Sequence, residues 1–212
     1  MGRMRGRRED DYEPDELSAW HYSLGWGEGL HSVAPFVPSP ENVIENMLKL
    51  CYAGPGDTLY DLGCGDGRIL FMAVEKFDVD KAVGVELNPN MVKGINEKIK
   101  KRGLEKRIQV HNGNFFNVDI SPATLVTLYL TTSGNSKLRP KFQEELKPGT
   151  KITSHDFPIQ EWDNLQSSGS PHTLGSHKIY VYTIPDGMDK NSGWGSLKGK
   201  SWKRIRDRLT RI

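Results

Sequence analysis

From Pro40 onward, the chain alternates short apolar runs with amphipathic stretches. "SPENVIENMLKLCY" opens with Ser39, has Pro40 at a first helical position, and puts Val43, Met47 and Leu50 on one helical face. "DTLYDLG" predicts a short strand and "RILFMAVEKF" a helix. "KAVGVEL" predicts a second strand, carrying Ala82, Val83 and Val85. "NPNMVKGINEKIKKRGL" predicts a helix that starts after Asn88 and stops at Gly103. "IQVHNGNFF" is a third strand ending near Asn112, and "ATLVTLYLTT" a long apolar fourth. "NSKLRPKFQEELKPGT" predicts a helix interrupted by Pro140. "KITSHDF" is a fifth strand and "HKIYVYTIP" the last, with residues 158–176 poorly patterned between them. Strands that alternate with helices at this spacing define βαβ units and a parallel sheet. Near-continuous apolar strands imply helices on both faces. The expected fold is an α/β, Rossmann-like, doubly wound and mostly parallel sheet with an antiparallel edge strand. Its ligand should lie beyond the carboxyl ends of the strands, at the switch point of strand order.

Composition adds little to this picture, and charge adds more. The chain has 212 residues, 36% hydrophobic and 26% charged. No apolar run reaches the ~20 residues that span a bilayer. Residues 1–16 hold four arginines against six acids, without the apolar core of a secretory signal. Two cysteines, Cys51 and Cys64, cannot build a disulfide framework, so a reducing cytoplasm is expected. Residues 1–19 read as a disordered charged arm. Residues 20–40 form a lead segment with Trp20, Tyr22, Trp26 and Phe36 among glycines and prolines. Residues 41–185 read as the folded domain. Residues 186–212 carry eight basic residues against three aspartates. Within that tail, Trp202, Ile205, Leu209 and Ile212 fall at helical spacing over 201–212. A basic face there would suit RNA, DNA or an acidic partner through residues 198–212, and a solvated basic tail is the alternative.

The chemistry concentrates at "YDLGCGDGRI", residues 60–69. Gly63, Gly65 and Gly67, with Cys64 between them, lie between a strand and a helix, where backbone can approach a ligand closely. The following helix turns its free N–H groups toward the loop and favours a carboxylate or phosphate. Asp61 ahead of the glycines disfavours a pyrophosphate and suits an ammonium group. Glu86 ends the next strand, where a carboxylate can accept from both hydroxyls of a ribose. Ribose, carboxylate and ammonium together describe S-adenosylmethionine. The spelling D-x-G-x-G-x-G differs from the G-x-G-x-x-G of nicotinamide enzymes, and "YDLGCGDGRI … GVELNPN" resembles motifs I and II of the class I S-adenosylmethionine-dependent methyltransferases.

The remaining segments extend the resemblance. In such enzymes an Asp at the end of the third strand usually accepts from the adenine amino group. Here "GNFF" puts Asn114 there, able to accept through its carbonyl oxygen or to serve as a turn residue. Phe115 follows, facing either adenine or core. The fourth strand ends in "LYLTTSGN" rather than in the [DN]-P-P-[YFW] of adenine-N6 and glutamine methyltransferases, and no nucleophilic cysteine of the cytosine-enzyme kind is placed. "PFVPSP", "YDLGCGDGRI", "AVGVELNP", "GNFFNVDIS", "LYLTT", "LKPGTKITSHDF" and "IYVYTI" together resemble the archaeal broad-specificity protein-lysine methyltransferases and the related mitochondrial enzymes of eukaryotes. The resemblance spans residues 34–184. It implies a seven-strand fold and methyl transfer from S-adenosyl-L-methionine to protein lysine ε-amines, leaving S-adenosyl-L-homocysteine. An RNA methyltransferase using the basic tail is the alternative, and a cofactor-binding protein without catalysis a third.

The lysine channel would then be walled by the ends of strands four and five and by "PFVPSP". Tyr129, Thr131 and Thr132 end strand four; Ser154, His155 and Asp156 end strand five. Tyr129 could lend a ring face to an ammonium or belong to the core. His155 is either a strand-end histidine or a base, and Asp156 could hold an incoming ammonium. Phe36 and Ser39 would close over the cofactor, with Ser39 reaching its carboxylate or capping a helix. No obligate general base is expected, because desolvation alone lowers a lysine pKa. No metal is expected.

Overall fold

The computed structural model describes residues 37–188. Phe36, the aromatics at 20–26, and the basic segment 198–212 lie outside the described residues. Four helices are described: α1 (Glu41–Leu50), α2 (Arg68–Lys76), α3 (Pro89–Arg102) and α4 (Thr132–Glu145). The strands are β1 (Thr58–Leu62), β2 (Lys81–Glu86), β3 (Ile108–Asn112), β4 (Leu125–Leu128), β5 (Lys151–His155), β6 (His172–Leu174) and β7 (His177–Thr183). They make one seven-stranded sheet in the order β3-β2-β1-β4-β5-β7-β6. β1 to β5 pair in parallel, and β7 runs antiparallel to both β5 and β6. Strand order reverses between β1 and β4, so the crevice expected for a ligand opens beyond Leu62 and Leu128.

The helix limits follow local chemistry. The Asn88 side chain accepts from the N–H groups of Asn90 and Met91 at the start of α3, with Pro89 in its first turn. Gly103, at φ +67°, ends α3 and turns its N–H back to Ile99 O and Lys100 O. α1 buries Val43, Ile44, Met47 and Leu48, so Leu50 is only partly covered and the apolar face lies one step round from the expected one. Leu59, Leu70, Ala82, Ile95 and Ile99 join that face in a core under α1, α2 and α3. Tyr60, Leu62, Val83, Val126, Phe142, Trp162 and Tyr182 form the core on the other side, under α4.

Three expectations need correcting. β4 is four residues long, not ten, because the chain leaves the sheet at Tyr129 and Thr131 starts a helix. α4 begins at Thr132, three residues early, and runs through Pro140 without ending. Pro140 costs a backbone hydrogen bond, but Leu138 and Phe142 are fully buried on either side of it and hold the helix on the sheet. Residues 158–176, which looked unpatterned, contain β6, only three residues long, which pairs with β7 and supplies the outer edge. Among the described residues, no helix is long and apolar enough to cross a membrane.

Candidate active site

The loop from β1 to α2 is tied to the end of β2. Gly63 N and Cys64 N both donate to Val85 O, at 2.9 and 3.0 Å, and Gly67 N closes a turn on Cys64 O at 2.8 Å. Gly67 has φ +80°, and a Cβ there would sit 3.0 Å from Ile95, so both conformation and space call for glycine. Cys64 turns its side chain into the core rather than toward the crevice: burial pushes its thiol well above the ordinary range. Any contact of Cys64 with a ligand is therefore through backbone. The room for that thiol comes from Gly84 in β2, where a Cβ would lie 2.6 Å from Cys64 Sγ and 2.7 Å from Leu70 Cδ1. A lone glycine inside an apolar strand was the signal for this close approach, and sequence reasoning passed over it.

Two buried carboxylates lie toward the carboxyl ends of β1 and β2. Glu86, nearly buried, accepts from Gly65 N at 2.9 Å through Oε2 and from Asn88 N at 2.8 Å through Oε1. Each oxygen keeps a further lone pair for a ribose hydroxyl. Asp61 is buried and accepts at 2.8 Å from the hydroxyl of Thr127, its register partner on β4. Burial pushes its carboxyl up to about 7, the Thr127 hydroxyl works against that, and the neighbouring carboxylates of Glu86 and Asp66 add to it. No Lys, Arg or His pairs with Asp61 or Glu86 among the described residues. A buried, unpaired carboxylate beside a hydroxyl acceptor fits a cationic, ribose-bearing ligand and repels a polyphosphate. Thr127 was not singled out from the sequence; a hydroxyl in the register opposite an internal aspartate is its only mark.

The N-terminus of α2 is occupied from within. Asp66 Oδ1 accepts from Arg68 N at 3.2 Å, and Arg68 grips the same carboxylate with Nε and Nη2. Arg68 Nη1 reaches across to Ser39 O at 3.0 Å and so pins the segment before α1 against the glycine loop. That role for Arg68 was missed. Ser39 forms no cap on α1. Its hydroxyl instead meets His155 Nδ1 at 2.8 Å, linking the lead segment to β5.

After β3, Asn114 Oδ1 accepts from Phe116 N at 3.0 Å and caps the single turn Phe115–Asn117. The turn role is thus in place, and one lone pair of that oxygen remains for a ligand. Phe115 is half-buried, its ring centroid 4.9 Å from that of Phe116.

Beyond β4 and β5 lie the residues expected to wall the acceptor channel. The Tyr129 ring packs on His155 at 4.0 Å between centroids, with Phe157 at 6.2 Å. Thr131 is the N-cap of α4, its hydroxyl oxygen accepting from Gly134 N at 3.1 Å. His155 is fully buried, and burial drives its imidazole down to about 4, so it is neutral near pH 7. Asp156 takes a left-handed φ of +58°. Burial works to raise its carboxyl, but the Lys178 N–H, the hydrogen bond with His177 and the electrostatic pull of the two imidazoles outweigh it and hold the group below its ordinary value. The parallel strands thus place Asp61, the glycine loop, Glu86 and Asn114 at or after the carboxyl ends of β1, β2 and β3, and Tyr129, His155 and Asp156 at or after those of β4 and β5, with Ser39 tied to His155.

This strand order, with a glycine loop after β1 and an acid at the end of β2, defines a Rossmann-like S-adenosylmethionine-dependent methyltransferase. Residues 61–166 match the family of ANTKMT methyltransferase domains. A protein-lysine N-methyltransferase of Saccharolobus islandicus (strain REY15A) is 44% identical over 150 residues, 71% of this chain and 93% of the relative. The adenine nucleotide translocase lysine N-methyltransferase of Mus musculus is 29% identical over 150 residues, 71% of this chain and 63% of the relative. An RNA methyltransferase from Salinibacter ruber, solved in complex with S-adenosyl-L-homocysteine, superposes with a TM-score of 0.68 at 38% identity over 74% of this chain and all of that one. The chain belongs to the ANTKMT methyltransferase family, and its cofactor is S-adenosyl-L-methionine.

Proposed function

We propose that this chain transfers methyl groups from S-adenosyl-L-methionine to the ε-amines of lysines in protein substrates. The observation that carries the reading is the 44% identity to a protein-lysine N-methyltransferase across 93% of that relative's length. The geometry supports it. Glu86 holds the ribose and Asp61 the ammonium of the cofactor, against a wall formed by the backbone of Gly63, Cys64, Gly65 and Gly67. Asn114 and Phe115 border the adenine, and Phe36 and Ser39 come from the lead segment. The bound cofactor supplies a methyl group on a positively charged sulfur, so the protein needs no nucleophile of its own. Tyr129, Thr131, His155 and Asp156 wall the lysine channel. The ionised Asp156 draws an ammonium toward the wall, and the face of Tyr129, backed by the buried His155 ring, desolvates it. A desolvated lysine loses its proton well below its usual ~10.4, and alignment of its lone pair supplies much of the rate. His155, neutral near pH 7, contributes shape rather than charge.

A second reading, RNA methylation, is favoured by the Salinibacter ruber structure and by the basic residues of 198–212. Labelled cofactor incubated with the protein and whole-cell extract, followed by nuclease or protease, separates the two. Label removed by protease and untouched by nuclease supports lysine transfer. Label removed by nuclease and surviving protease overturns it. Tight binding of S-adenosyl-L-homocysteine with no transfer to any extract component also overturns it, and leaves a binding protein.

A further inference from the structure

Beside the acceptor wall, the turn of the sheet brings together three side chains that are far apart in the sequence. His155 ends β5, Asp156 follows it, and His177 opens the antiparallel β7. His155 Nε2 and His177 Nδ1 are 2.9 Å apart. Asp156 Oδ2 lies 3.2 Å from the first and 3.0 Å from the second. The three atoms form a nearly equilateral triangle with no atom of the chain required at its centre.

Protons alone satisfy this triangle poorly. With one N–H, one of the three edges always pairs two bare acceptors. With both nitrogens protonated toward the carboxylate, two N–H groups crowd each other across 2.9 Å. A cation bound to all three atoms resolves every edge. A tetrahedral ion with ligands at ~2.0–2.1 Å spaces those ligands about 3.3 Å apart, a few tenths of an ångström wider than the distances here. The outer contacts are those a ligand set needs. His155 Nδ1 meets Ser39 Oγ at 2.8 Å, and with Nδ1–H donating to that hydroxyl oxygen, Nε2 is free for a metal. Asp156 Oδ1 accepts from Lys178 N at 2.8 Å, which orients Oδ2 inward. His155 is sealed, whereas His177 and Asp156 remain 31% and 26% exposed, which leaves an entry path from solvent.

We propose that His155, Asp156 and His177 form a binding site for one divalent transition-metal ion of the zinc type. Two imidazoles and one carboxylate select such an ion over magnesium or calcium, which prefer all-oxygen shells. The proposal does not depend on the acceptor being lysine, and its test reads metal binding alone.

The experiment titrates the tag-free, metal-stripped full chain with Zn²⁺ by calorimetry near neutral pH, with Mg²⁺ in parallel. One Zn²⁺ per chain is expected, and no heat from Mg²⁺. His177→Ala and Asp156→Asn should each weaken Zn²⁺ binding by at least roughly tenfold, since even outer-contact losses cost that much. His111→Ala, on β3, should leave it unchanged. Retained binding of S-adenosyl-L-homocysteine shows that the variants fold. In the unmutated protein, nitrogen-detected NMR should show the His155 Nε2 and His177 Nδ1 resonances shifting together on Zn²⁺ addition. Zn²⁺ binding at full strength in both His177→Ala and Asp156→Asn overturns the proposal. Unmoved His155 and His177 resonances at saturating Zn²⁺ overturn it without any variant.

Discussion

Asp61→Asn separates charge from shape at the cofactor site. The Asp61 carboxyl moves from 3.8 to about 7 on folding, chiefly by burial. That change corresponds to about 4 kcal/mol against ionisation in the empty protein. The sign follows from the raised value. Above pH ~4 the unfolded chain carries a charged Asp61 while the empty fold holds it neutral. Stability from this group is therefore lost as pH rises from about 4 to about 7, and is flat above that. A cofactor ammonium reverses the balance, because it pairs with the charged form. Binding of S-adenosyl-L-homocysteine below pH 7 should then release close to one proton, and its affinity should rise roughly tenfold per pH unit until about 7. Calorimetry in two buffers of different ionisation enthalpy measures the released proton. Asp61→Asn should abolish the release, flatten the pH profile, and weaken binding at pH 8 by about 3 kcal/mol, the cost of leaving one partner of a buried ion pair alone. The same variant, without cofactor, should be more stable than the parent at pH 8. Unchanged affinity in Asp61→Asn, or binding below pH 7 without proton release, refutes the pairing of Asp61 with the ammonium.

Other consequences are more local. Glu86→Gln removes the charge at the end of β2 and sets an amide NH2 against the N–H of Gly65 or of Asn88; with Glu86 as the proposed ribose acceptor, cofactor affinity should fall by about tenfold or more. Gly84→Ala should destabilise the fold by about 1–3 kcal/mol, because its Cβ meets Cys64 Sγ at 2.6 Å. Adding Cys64→Ala should recover part of that in denaturant titrations, the contact with Leu70 Cδ1 at 2.7 Å remaining. Tyr129→Phe preserves the ring against His155 and should stay within a few-fold of parental methyl transfer. Tyr129→Ala should lose roughly tenfold or more in kcat/KM without loss of cofactor binding.

Most of the fold was legible because its signals are local. Pro89 and Gly103 bracket α3 in sequence as they do in space, and the apolar strands announce a covered sheet. The misreadings came where tertiary packing overrides pattern. Tyr129 continues an apolar run yet leaves the sheet, and Pro140 sits inside a helix held by its buried neighbours. The loop after β1 was legible for a similar reason, since Asp61, the glycines and Glu86 follow a fixed spelling. What surrounds it was not. Thr127 reaches Asp61 only through strand register, Arg68 reaches Ser39 across 29 residues, and the meeting of His155 with His177 needs β7 to run antiparallel beside β5. Such long-range pairings carry no spacing for a sequence to display.

Peptide mass spectrometry identifies the atom that receives the methyl group. A protein mixture treated with S-adenosyl-L-methionine and the parental enzyme, compared with one treated with Glu86→Gln, should show added methyl groups on lysine side chains in the first sample and far fewer in the second. Methyl groups found only on nucleotides of co-purified RNA, with every lysine peptide unmodified, would contradict it.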